Sequence, residues 1–450
     1  MFRRFQCLCM IACAVSVLTL TGCQTPARQT TALQPSSVAT LQLASWGSQA
    51  EHALLQDLLA AFHAKHPHIR VTLLHIPDNY YQKLHLLAAA GLLPDVVLIN
   101  SQQFPAYAQY GLFQNVADTL SLSDAKDFFP TALKAFDCQS KATSHPCLGA
   151  FPRDVSVVGV YVNTSLLARL GIKLPTNRWT WADWHALAAQ VAQQHPANAN
   201  RASQHVFGAS FYRAPVLFWL PWVYSNGGKL FTASETPKNI TALQRGLSAY
   251  TQWLSPLASG HLTQAPYRRG VGNTTMTQLF LEGRLATLLN GPWIVPVLRK
   301  QATFHWTVLP FPRKDTTQTA GRVGVDATGY AISAKTQHPK AARLLAQYLT
   351  RPEALAALSS SGLIIPARQR IANSPAFQGN TPSSQAVARV FLNAVANGVP
   401  TEHSPHWAEA SDCLTEALNP LWDEMEAGLP APTQTILKNA LLPCLPEVAP

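Results

Sequence analysis

The chain has 450 residues, 47% of them hydrophobic and only 13% charged, which suits a folded body with ample core and excludes a disordered or fibrous polypeptide. Two domains are expected, because a single core stops growing well short of this length. The formal charge is +11, but Arg3 and Arg4 belong to a leader and the later basic runs are pairs such as Arg268-Arg269 and Arg299-Lys300, so the clustered footprint of a nucleic-acid binder is missing.

The leader comes first in chain order. Met1-Phe-Arg-Arg4 is a basic start, Phe5 to Thr19 an uncharged apolar run, and Leu20-Thr21-Gly22-Cys23 follows at once. So short a run before a small-residue site predicts a cleaved signal peptide over 1–22 and no membrane span. Leu-Thr-Gly-Cys resembles the bacterial lipobox, which implies that Cys23 is lipidated and that residues 23–40, rich in Thr, Gln, Ala, Pro and Ser, are a tether holding the body off a membrane.

Beyond the tether, Ala39 to Trp46 is a predicted strand. Leu54, Leu55, Leu58, Leu59 and Phe62 then fall at helical spacing within Ala50 to His63. A strand follows over Ile69 to Ile76, a helix over Tyr80 to Ala90 and a buried strand over Val96 to Ile99. This β-α-β-α-β order predicts a largely parallel sheet covered by helices. Val155 to Val162 is expected as one strand, Thr164 to Leu170 as a short helix, and Trp181 to Gln194 as a helix capped by Thr180. Strands are expected over Leu285 to Leu289, Trp306 to Pro310 and Tyr330 to Ser333, helices over Pro339 to Leu349 and Pro352 to Leu358, and a mainly helical last third.

Four of the eight cysteines lie in the leader and lipobox, leaving Cys138, Cys147, Cys413 and Cys444. None of their gaps is a Cys-x-x-Cys metal spacing, so disulfides in an oxidising compartment are expected. Of the three possible pairings, Cys138–Cys147 and Cys413–Cys444 are favoured because each closes a local loop.

No enzyme signature is present: no Gly-x-Ser-x-Gly, no His-Glu-x-x-His, no phosphate loop and no complete Gly-x-Gly-x-x-Gly, since Gly270-Val-Gly272 lacks its third glycine. No metal site, cofactor or catalytic residue is assigned. A glycosidase needs two carboxylates across a sugar; Asp154 and Asp326 are the pair such a reading would use. Aromatics suggest a different chemistry, because sugars stack C–H faces on Trp and Tyr while their hydroxyls need fixed donors and acceptors. Trp219, Trp222 and Tyr224 with Asn226-Gly-Gly228, and Asn290-Gly-Pro-Trp293 after a strand, combine these residue types.

A series of segments runs in matching order along nearly all of residues 41–428. It comprises Leu43 to Trp46, His66 to Val71, Gly91 to Val97, Phe151-Pro-Arg-Asp154 leading to Val160-Tyr-Val-Asn163, and Thr180-Trp-Ala-Asp-Trp184. Asn226-Gly-Gly228, Phe280 to Ala286 into Asn290-Gly-Pro-Trp293, Gly329 to Ser333, Tyr348 to Glu353 and Gly362 to Pro366 continue it. Together they resemble the extracellular solute-binding proteins of bacterial ABC importers, the family of the maltose-, trehalose- and glycerol-phosphate-binding proteins. The resemblance implies a two-lobed α/β fold of the periplasmic-binding-protein kind (type II), its discontinuous lobes joined by hinge segments. An N-lobe of 41–156 plus 329–370 and a C-lobe of 157–328 plus 371–450 are expected, with crossings near Asp154, Tyr330 and Arg368.

The same resemblance implies ligand contacts. Trp293 stands where the family often places a stacking Trp, and Trp46, Ser48 and Asp154 are matched cleft positions. Asn226, Asp326 and the late aromatic Trp407 are further candidates, and Trp222 joins them as an aromatic platform. Asn100 stands where some relatives carry a sugar-binding Asp. The expected function is therefore non-catalytic capture of a carbohydrate, a disaccharide of the maltose or trehalose kind, by a lipid-anchored monomer in the cell envelope that delivers it to membrane permease subunits. A polyol phosphate held by Arg153 or Arg368 is the alternative ligand, and a secreted glycan-cleaving lipoprotein the alternative class.

Overall fold

The computed structural model describes residues 38–138, 146–194, 205–210, 212–213, 216–231, 238–259, 273–402 and 404–444. The leader, Cys23, most of the tether, Arg268-Arg269 and Gly270-Val-Gly272 lie outside the described residues.

The strands in chain order are β1 (Ala39–Ser45), β2 (Ile69–His75), β3 (Val96–Asn100), β4 (Ala150–Ser156), β5 (Gly159–Asn163), β6 (Phe207–Ala209), β7 (Leu285–Asn290), β8 (Trp306–Leu309), β9 (Gly324–Ile332), β10 (Ile365–Pro366) and β11 (Val399–Pro400). They make two sheets. The first runs β10-β4-β9-β3-β1-β2, with β11 also on β9; the second runs β6-β7-β5-β8. Helices cover both. Leu55, Leu59 and Phe62 of the helix Gln49–Lys65 are buried at the spacing the sequence showed, and that helix packs on β2. Val96 to Ile99 of β3 are fully buried, as a continuous apolar run requires when both sheet faces are covered. Thr180 caps Trp181–Gln194 reciprocally: its Oγ1 accepts from the Asp183 amide at 3.2 Å, and Asp183 Oδ2 accepts from the Thr180 amide at 2.7 Å. One buried core runs through both sheets, with a satellite of Leu355, Leu358, Leu363 and Ile364. No described helix is long and apolar enough to cross a membrane.

Three expectations need correction. The single strand over Val155 to Val162 is two strands, β4 and β5, and the chain passes from the first sheet to the second through Val157 and Val158. The strand expected to begin at Tyr330 begins at Gly324, and all nine of its residues are buried. The first sheet is mixed: β1 pairs parallel with β2 and β3, but β9 is antiparallel to β3 and β4. The connectivity dictates this. β4 ends by leaving the first sheet and β9 begins by entering it, so as neighbours they must run in opposite directions.

The disulfides pair as expected, Cys138 with Cys147 and Cys413 with Cys444. The second ties the helix Trp407–Glu426 to the turn Leu442–Cys444.

Candidate functional site

The carboxyl ends of β1, β3 and β4 and the amino end of β9 meet at one place, the position at which open α/β sheets hold ligands. A cleft of about 350 Å³ lies there. Trp46, Gly47 and Ser48 follow β1 directly, and Asn100 and Gln102 end and follow β3. Strand register supplies the floor: Thr328 stands opposite both Asn100 and Asp154, and Asp326 opposite Ser156. Asp326 and Thr328 share a face because side chains alternate along β9. Arg153 and Asp154 are consecutive yet both line the cleft, since the register of β4 shifts between Pro152 and Asp154 and such a bulge brings neighbouring side chains to one face. Leu217, Pro292, Trp293, Leu363 and Ile364 form the apolar wall.

The polar floor centres on Arg153, which is 5% exposed. Its Nη1 donates to Glu51 Oε1 at 2.8 Å and its Nε donates to Asp154 Oδ2. Burial works against the guanidinium charge, but the Asp154 and Glu51 carboxylates more than offset it and hold the Arg153 pKa above its usual value. Burial pushes the Asp154 carboxyl up, against the pull of Arg153. Ser48 caps its helix by accepting from the Glu51 amide at 3.3 Å, so Ser48-Gln-Ala-Glu51 reads as a capping box; the Glu51 carboxylate goes to Arg153 instead. Gly47, at φ +123°, makes this possible: a Cβ there would lie 2.2 Å from Glu51 Oε2. Across the floor, Gln102 Nε2 donates to Asp326 Oδ1 at 3.1 Å. Burial, reinforced by the nearby Glu402 carboxylate, raises Asp326 to about 6. Glu402 itself accepts from the Tyr224 hydroxyl at 3.0 Å and the Leu230 amide at 3.1 Å.

Two indoles border the cleft. Trp46 rests on Tyr80 and Tyr81, with ring centroids 4.9 and 5.6 Å away. Those tyrosines are anchored on β3, Tyr80 donating to the Leu98 carbonyl at 2.7 Å and Tyr81 accepting from the Asn100 amide at 2.9 Å. Trp293 follows β7 in the turn Pro292–Ile294 and packs on the satellite cluster. The Gly291 carbonyl accepts from Tyr161 at 2.6 Å, and its amide donates to Asn290 Oδ1 at 2.8 Å, so the turn presenting Trp293 is fixed from both sides.

Aromatic walls around a hydrogen-bonding floor suit binding of a small polar ligand. The family model described as bacterial extracellular solute-binding protein matches residues 57–435. The chain belongs to that family. This solute-binding protein is not an enzyme, its family and relatives being binding proteins. It is 25% identical over 307 residues to a multiple sugar-binding protein of Streptococcus mutans, covering 67% of this chain and 69% of that one. It is 21% identical over 416 residues to a galactooligosaccharide-binding protein of Bacillus subtilis, covering 91% of each. Among solved structures it resembles an ABC substrate-binding protein of Listeria monocytogenes in complex with cycloalternan (TM-score 0.72, 20% identity, 90% of this chain and 98% of that one). It likewise resembles a Thermus thermophilus maltotriose-binding protein bound with maltotriose (TM-score 0.70, 18% identity, 90% and 98%). The fold is thus the two-lobed α/β fold of the periplasmic binding proteins.

Of the positions singled out from the sequence, the binding protein brings Trp46, Ser48, Asn100, Asp154, Trp293 and Asp326 together at the cleft. Four others stand elsewhere. Trp222 is 2% exposed in an aromatic cluster with Tyr250, Phe311 and Trp253 at 4.6, 4.8 and 5.5 Å, because the helix Leu220–Ser225 turns that face inward. Asn226 ends that helix, its Nδ2 donating to the Trp222 carbonyl at 2.8 Å. Arg368 is committed to Asp124 and Asp127 at 2.9 and 3.2 Å and stacks over Phe128. Trp407 is buried against Phe231 at the start of its helix. The cleft residues missed were Glu51, Gln102, Ser156, Leu217, Thr328, Leu363 and Ile364, with Arg153 named only for a phosphate. The spacing of Ser48 and Glu51 fits a capping box and Thr328 lies a period of two from Asp326, signals that would have found both; Leu363 and Ile364 lay in the matched segment Gly362 to Pro366 with nothing local to place them at the cleft, and Leu217 carried no signal.

Proposed function

We propose that this solute-binding protein captures an oligosaccharide between its lobes and delivers it to the permease of an ABC importer, exported and held at the membrane by a lipid on Cys23. The observation that carries the ligand class is the pairing of two partly exposed indoles, Trp46 and Trp293, around a floor of fixed carboxylate, amide and hydroxyl groups. That combination suits the C–H faces and hydroxyl rim of a sugar. The names of the relatives support the same reading. A maltose- or trehalose-like disaccharide remains the proposed ligand, with malto- and galacto-oligosaccharides as the first extensions. A polyol phosphate is not favoured, since Arg153 and Arg368 already hold two carboxylates each. The proposed lobes are 41–156 plus 329–370 and 157–328 plus 371–450, acting as a monomer that favours the closed form by its contacts with bound sugar.

The test is a thermal-shift and calorimetric screen of the purified chain with maltose, trehalose, maltotriose, a galacto-oligosaccharide and glycerol-phosphate diesters. A sugar at a hundred times its Kd should stabilise the fold by about 2.7 kcal/mol. Stabilisation by the diester alone overturns the reading. For the anchor, Cys23→Ser should release the protein from membranes; a variant still bound after a salt wash refutes lipidation at that residue.

A further inference from the structure

Resting on the oligosaccharide reading, we infer that the cleft selects its glycan by charge: it takes amine-bearing, cationic glycans ahead of neutral ones and rejects acidic ones, with Asp326 as the group that reads the charge. The side chains lining the cleft include three carboxylic acids, Glu51, Asp154 and Asp326, and one base, Arg153, among the described residues. Arg153 is spent internally, since its Nε and Nη1 hold Asp154 and Glu51. Among the described lining residues a carboxylate or phosphate entering the cleft meets no free cation and faces a net negative floor, which like-charge repulsion in a partly desolvated site makes costly.

Asp326 differs from the other two acids. No cation pairs with it among the described residues; its partners are neutral, the Gln102 amide at 3.1 Å and the Thr401 hydroxyl, and its charged neighbour is the Glu402 carboxylate. A buried acid beside a second acid gains most from an incoming ammonium, which supplies the missing counter-charge. The indoles of Trp46 and Trp293 favour the same ligand, since their faces attract cations.

The probes are the glucosamine trisaccharide, its fully N-acetylated form, maltotriose and trigalacturonate, titrated calorimetrically into the full chain at pH 7. The glucosamine trisaccharide should bind at least tenfold more tightly than the N-acetylated form, and trigalacturonate should bind at least tenfold more weakly than maltotriose. Asp326→Asn should bring the amine-to-acetyl affinity ratio near one, whatever it does to either affinity alone. Raising KCl from 50 to 500 mM should shrink the same ratio in the unaltered protein, a readout independent of the variant's folding. Neutral sugars binding with no amine preference, or trigalacturonate matching maltotriose, overturns the inference and leaves the oligosaccharide reading standing. Failure of all four to bind overturns the inference, and overturns the oligosaccharide reading with it when maltose, trehalose and the galacto-oligosaccharide fail as well.

Discussion

Gly291→Ala isolates the role of Trp293. Gly291 has φ −93° and ψ 179°, an extended backbone that alanine adopts freely, so the substitution carries no conformational penalty and gains slightly from a stiffer unfolded chain. Its Cβ, however, would lie 2.0 Å from Trp293 Cζ3 and 2.2 Å from Cη2. The backbone is pinned by Tyr161 and Asn290, whereas Trp293 lines the cleft and is partly exposed, so the indole is the part that moves. A sugar face covering roughly 70 Å² of indole contributes about 1.8 kcal/mol at 25 cal/mol per Å². Displacing the ring should therefore weaken maltotriose binding roughly tenfold to thirtyfold, while apo stability falls by only about 1 kcal/mol, the low end of overpacking costs. Calorimetric titration and urea unfolding read the two quantities. The decisive comparison adds Gly291→Ala to Trp293→Ala. If the whole effect passes through the ring, the second substitution changes nothing further. An equal loss of affinity in both backgrounds, or none in either, refutes the reasoning.

Arg153→Met leaves Glu51 and Asp154 buried without their counter-charge and should cost about 3–5 kcal/mol in urea unfolding at pH 7. Because burial already raises the folded-state Asp154 pKa, protonation relieves the strain, so the gap to the unaltered protein should narrow as pH falls toward 5; a gap that widens contradicts the assignment. Asp326 rises from its ordinary 3.8 to about 6, which at about 1.36 kcal/mol per pH unit is roughly 3 kcal/mol. A raised acid favours the fold below 3.8 and loses that contribution as pH climbs to 6, so Asp326→Asn should stabilise the apo protein at pH 8 relative to pH 4, checked by unfolding across that range. Removing the Cys413–Cys444 bond as the double serine variant should cost roughly 3.5 kcal/mol for its separation of 31 residues, compared with the unaltered protein by unfolding without reductant.

Much of this molecule was legible along the chain, because the signals concerned are local. Helical spacing in Leu54 to Phe62, the cap of Thr180 and Asp183, and Pro at the start of Pro339–Leu349 and Pro352–Ser360 each need only neighbours a few residues away. The two local cysteine loops are equally short-range, and the ordered segments resembling solute-binding proteins placed the turns after β1 and β7 at the cleft. Tertiary structure decided the rest. Trp222 and Trp293 both follow apolar segments near flexible glycines, yet only the packing of Tyr250, Trp253 and Phe311 around Trp222 buries it in the core. Arg153 and Arg368 are indistinguishable as charges in a sequence. Their partners Glu51, Asp124 and Asp127 lie 102, 244 and 241 residues away, and local pattern carries no information over such separations. The opposed directions of β4 and β9, the bulge that turns Arg153 and Asp154 to one face, and the meeting of four strand ends follow from how the chain crosses between sheets. Burial and charge pairing are properties of that three-dimensional neighbourhood, so the indoles that border the cleft could be read from the sequence while the rest of its wall and the pairings of its floor could not.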